Sequence, residues 1–116
     1  MIFDVEIVLR ERNYAVTERV HHAGIAREWT EHDVETVLKE ILLAIDRVKN
    51  PESENRYVAL RGFSWIVEPT DAGVVIAIEI PMGAAVAGPF DIEQKHLDRM
   101  ITRVVTAASP ARTVVH

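Results

Sequence analysis

Apolar and polar residues alternate from the first turn of the chain. Phe3, Val5, Ile7 and Leu9 fall on one parity, with Asp4 and Glu6 on the other, which is the period of a strand with one buried face. Polar residues Arg10 to Asn13 follow, Asn13 suits a left-handed turn position, and Tyr14, Val16 and Val20 resume the alternation. The first two strands are therefore expected as a hairpin. Gly24 weakens any regular element between His22 and Trp29, so that segment reads as a loop with at most a short helical turn.

The period then changes. Val34, Val37, Leu38, Ile41, Leu42, Ile45 and Val48 recur at spacings of three and four, the apolar stripe of a helix. Thr30 and Asp33 form a variant capping box at its start, Glu31, Asp33 and Glu35 place negative charge in the first turn, and Asn50-Pro51 ends it. Pro51 to Asn55 is a polar connection.

The second half reads as strands again. Between Arg56 and Glu68 the alternation slips: Val58 and Leu60 share one parity and Phe63, Trp65 and Val67 the other. A bulge at Arg61-Gly62 would restore a common face. Pro69 to Gly73 is a turn, and Val74, Ile76, Ile78 and Ile80 form the inner face of a further strand. The small-residue stretch Gly83 to Pro89 reads as a strand-to-helix connection. Asp91 with Gln94 signals a second helix, whose stripe is Leu97, Met100, Ile101, Val104, Val105 and Ala108 and whose stop is Ser109-Pro110.

These elements predict a single α+β domain over residues 1–116, in two layers and in the order ββαββα. Its four-stranded, mainly antiparallel sheet carries both helices on one face, and residues 110–116 form a disordered tail or a short edge strand. The other face of the sheet is expected to present Ile66, Val75 and Ala77 beside Ser64, Glu68 and Glu79. It is more apolar than a solvated face needs to be, and a second copy of the chain is the expected cover.

Composition narrows the function classes. With 48% hydrophobic and 27% charged residues the chain is ordinary for a folded domain. Its 18 acidic and 13 basic residues leave a net charge of −5, and the basic residues are scattered, which argues against nucleic acid as a partner. The absence of cysteine removes disulfides, thiolate nucleophiles and Cys-ligated zinc, and fits the cytoplasm. The N-terminal alternation with acids argues against a signal peptide, and no apolar run is long enough to predict a membrane span.

Candidate chemistry is sparse. His21, His22, Glu28 and His32 hold metal-ligand types within twelve residues but match no ligand spacing, so surface histidines are the preferred reading. Gly83 to Gly88 has the glycine spacing of a phosphate loop, yet Pro89 and Phe90 stand where Lys and Ser or Thr belong. Glu18, Arg61 and Glu79 are charges in apolar surroundings, candidates for a site or for ordinary ion pairs. The expectation is a homodimeric protein-protein interaction module without catalysis, cofactor or metal, paired through Ile66, Val75 and Ala77. The alternative is a small-molecule site near Gly83 to Phe90 drawing on Arg61, Trp65, Glu79, Gly83 and Gly88.

Overall fold

In the computed structural model, which describes residues 1–108, the N-terminal alternation forms β1 (Ile2–Leu9) and β2 (Ala15–His21). They pair antiparallel, with Phe3 opposite Val20 and Val5 opposite Glu18. A single 3-10 turn at Ala26–Glu28 follows, and α1 spans Glu31–Lys49. Its capping box is complete: Thr30 Oγ1 accepts from the Asp33 amide at 3.3 Å, and Asp33 Oδ2 accepts from the Thr30 amide at 2.9 Å. Of the predicted stripe, Val34, Val37, Leu38, Ile41, Ile45 and Val48 are buried and Leu42 is partly buried.

Three strands follow rather than two: β3 (Ser64–Thr70), β4 (Gly73–Ile80) and β5 (Gly83–Phe90), before α2 (Gln94–Ala108). The architecture is α+β, with one five-stranded antiparallel sheet in the order β2-β1-β5-β4-β3. The expected four strands and ββαββα order are corrected to five strands and ββαβββα. The stretch Gly83 to Pro89, expected as a loop, is the central strand. Its small residues have little intrinsic strand preference, but it pairs with β1 on one side and β4 on the other, and tertiary pairing overrides propensity.

Two further expectations are corrected. The segment from Arg56 to Phe63 is irregular and β3 begins only at Ser64, because the ladder with β4 ends at the Ser64–Glu79 pair and leaves earlier residues without a partner. No bulge forms at Arg61-Gly62; the register slips instead between Val74 and Ile76, where β4 meets β5. Asp91 does not cap α2. The Glu93 carbonyl accepts the first helical bond, from the Leu97 amide, so Gln94 is the first helical residue and its Nε2 donates to the Val67 carbonyl at 2.9 Å. The proposed stop at Ser109-Pro110 and the tail at 110–116 lie outside the described residues.

Both helices cover the same sheet face. Val5 and Ile7 of β1, Ile76 and Ile78 of β4 and Ala85 and Ala87 of β5 are buried beneath Leu38, Ile41, Leu97 and Ile101. Phe90 sits at one end of this core, its ring centroid 5.0 Å from that of Phe3 and 4.9 Å from that of Trp29. Among the described residues no charged or polar side chain is fully buried, and no helix is long and apolar enough to cross a membrane.

Candidate functional site

Alternate residues of the same strands form the opposite face of the sheet, and the pairing register sets out their layout. Ile66, Ala77, Val86, Glu6 and Thr17 lie in one row from β3 across β4, β5 and β1 to β2. Ser64, Glu79, Ala84, Val8 and Ala15 form the next row. Ile66 is 53% exposed, Val8 46% and Val86 42%, so three β-branched side chains stand in the open within two adjacent rows. Among them lies a shallow depression of about 330 Å³ lined on this face by Ser64, Ile66, Ala77, Glu79, Ala84 and Val86. The methyl side chains of Ala77 and Ala84 make its floor, because they are too short to fill the space between their larger neighbours.

Carboxylates surround this apolar centre. Glu6 is directly across from Val86, and Glu79 lies between Ser64 and Ala84. Asp4 and Glu68 lie one row further on. Two guanidinium groups adjoin this face: that of Arg19, whose Nε donates to Asp4 Oδ1 at 3.4 Å, and that of Arg10, which shares a cleft with Glu79 at the end of the sheet without pairing with it. Among the described residues Glu6, Glu68 and Glu79 enter no ion pair. The face is therefore apolar at its centre and negative around it.

The structure distributes the residues singled out by sequence unevenly. Ile66, Val75 and Ala77 all lie on the open face, with Ile66 and Ala77 directly paired. Glu79 lies on the open face, whereas Trp65, opposite Ile78 in the ladder, faces the helix-covered side and packs partly against the core, so the two side chains are not brought together. Arg61 does not join them: it is exposed in the segment before β3, beside Gly62 with its φ of +79°. Gly83 and Gly88 belong to β5, which removes the loop on which a small-molecule site was expected. A Cβ on Gly83 would collide with the Val8 carbonyl oxygen, and Gly88 adopts a φ of +125°, so close strand packing and backbone conformation account for both glycines.

The remaining charged candidates have structural partners or none. Glu18 faces the helices, where its Oε1 accepts from Arg47 Nε at 3.0 Å and ties β2 to α1. His22 Nε2 lies 3.0 Å from Asp33 Oδ1, which links the end of β2 to the capping box, and its ring meets Trp29 edge to face. His21, Glu28 and His32 are exposed, and among the described residues no group of three or more His, Cys, Asp or Glu side chains converges as metal ligands would. A second, broader cleft of about 550 Å³ lies at the end of the sheet between Arg10, Phe63, Glu79 and Pro81.

Sequence reasoning placed Glu6 on the polar side of β1 but missed Val8, Ala84 and Val86 as parts of the open face. Val8 carried a visible signal, since it shares the parity of Asp4 and Glu6 and so breaks the polar face of β1. Ala84 and Val86 carried none, because their segment did not read as a strand. Compared with protein-family models, curated protein sequences and solved structures, the chain finds no match.

Proposed function

We propose that the chain is a protein-interaction module whose binding surface is the open face of its sheet, centred on β4 and β5. The observation that carries this reading is the exposure of Val8, Ile66 and Val86 around an alanine floor. A sheet face that meets only water carries polar residues at alternate positions, and clustered apolar residues there mark a contact surface. The dimensions suit the role. Five strands about 4.8 Å apart and seven or eight residues long present a face of roughly 600 Å² in projection. That is comparable with the roughly 800 Å² of accessible surface each partner contributes to an ordinary protein interface.

The test is a photoreactive residue placed at position 86 in the living cell, with position 52, on an exposed connection, as control. A discrete adduct of reproducible mass at position 86, lost when Ile66→Asp is added, is the expected result. Equal yields at the two positions, or no discrete adduct, would remove the open face as a binding surface.

A further inference from the structure

Glu6 and Glu79 stand on opposite sides of the strip formed by Val86 and Ala84. Glu6 belongs to β1 and Glu79 to β4, the two neighbours of β5, and the two residues are offset by one row. Two strand spacings across and two residues along place them about 12 Å apart, with the Val86 side chain between them. Neither has an ion-pair partner among the described residues.

We infer that the occupant of this face is a protein segment carrying an apolar side chain flanked by two lysine or arginine side chains, and not a second copy of this chain. This rests on the reading of the open face as a binding surface and names the chemistry of its partner. An extended segment fits the spacing: residues i and i+4 of a strand lie about 13 Å apart on one side, with residue i+2 between them on that same side. Its two cations reach Glu6 and Glu79 while the central apolar residue rests on Val86 and the floor of Ala77 and Ala84.

A second copy is a poor match for the same reason. It brings its own Asp4, Glu6, Glu68 and Glu79 against two guanidinium groups, Arg19, which is already held by Asp4 at the β2 edge, and Arg10, which lies at the end of the sheet beside Glu79. Apposing two such faces gathers like charges around an apolar centre, which complementary interfaces avoid. Nucleic acid and anionic membranes are repelled by the same carboxylates.

The experiment titrates the ¹⁵N-labelled chain with capped peptides of the pattern Thr-Lys-Thr-Val-Thr-Lys-Thr, in which both lysines and the valine share one side. Two control peptides carry glutamate or serine in place of lysine. The lysine peptide is expected to shift the amide signals of Glu6, Ala77, Ala84 and Val86, to bind about tenfold more tightly than the glutamate peptide, and to weaken as salt is added. The double variant Glu6→Gln, Glu79→Gln, with its spectrum otherwise intact, should bind all three peptides alike.

If the three peptides already bind the unmodified chain alike, the face is a binding surface and the inferred partner chemistry is wrong. If no peptide binds and dilution of the protein alone moves the same amide signals, the occupant is a second copy and the inference falls. If neither peptide nor dilution moves any signal from the open face, the binding-surface reading falls with it.

Discussion

The backbone of Gly83 passes so close to Val8 that a Cβ built on the glycine would collide with the Val8 carbonyl oxygen, an approach no real side chain makes. Leu9 pairs with Gly83 in the same ladder, so the contact lies where β5 enters between β1 and β4. Gly83→Ala is therefore expected to cost about 1–3 kcal/mol, as forced overpacking does. Urea denaturation of the variant beside the parent chain checks it, and a loss below half a kcal/mol would show that the two strands part easily.

Phe90 and Val86 are on one strand but face opposite ways. Phe90 is fully buried between Phe3 and Trp29, while Val86 is 42% exposed. Phe90→Ala should destabilise the fold by about 3–5 kcal/mol. Val86→Thr should change stability by no more than about 0.5 kcal/mol. Equal costs in thermal unfolding would mean that Val86 belongs to a folding core rather than to a contact surface.

The capping box gives a local prediction. Thr30→Ala removes the oxygen that accepts from the Asp33 amide and should cost about 1 kcal/mol, with Thr30→Ser restoring most of it. Chemical denaturation of the three chains decides the matter, since a purely steric role for the threonine methyl would leave the serine variant as weak as the alanine one.

Acid should unfold the chain partly through α1. The hydrogen bond from the Thr30 amide, opposed by desolvation and helped by His22, holds the Asp33 carboxyl below its ordinary range. For Asp46, burial pushes upward and the bonds from Asn50 and Arg56 more than reverse it; for Glu35 the Lys39 ammonium lowers it. A carboxyl held low when folded stabilises the fold fully above its unfolded value, near pH 4, and loses that contribution as the pH falls through the lower folded value. Asp33→Asn should therefore lose less stability than the parent chain between pH 5 and about pH 2, measured by urea denaturation at each pH. Parallel profiles would show that Asp33 titrates alike in both states.

The helix α1 was legible because three signals agreed there: a sustained apolar period, a capping pair and a terminal Asn50-Pro51. β1 was legible because its buried residues alternate with Asp4 and Glu6, and β4 because an apolar, largely β-branched run follows the turn at Pro69 to Gly73. β5 was not, for a physical reason. Its residues Gly83, Ala84, Ala85, Ala87 and Gly88 are chosen by close packing between two neighbours, and that choice leaves no period and no strand preference to read. Arg56 to Phe63 failed in the opposite sense, since its residues favour a strand but no neighbouring strand is there to pair with them. The candidate face was half legible as a result. Ile66, Val75 and Ala77 followed from alternation in β3 and β4, whereas Val86 and its relation to Glu6 waited on knowing where β5 lies.

The central place of β5 also sets when the sheet can exist. It is the last strand among the described residues, yet it joins the N-terminal hairpin to the β3-β4 hairpin, with Asp4 meeting Gly88 and Ile78 meeting Ala85. A chain emerging from the ribosome holds two hairpins with open inner edges until Phe90 is free to fold. Contacts between such distant parts of a chain form slowly, and unpaired edges invite foreign strands in the meantime. The keystone of the sheet thus comes late in synthesis, after both hairpins, and the interval before that strand arrives is when the chain is most exposed to wrong partners.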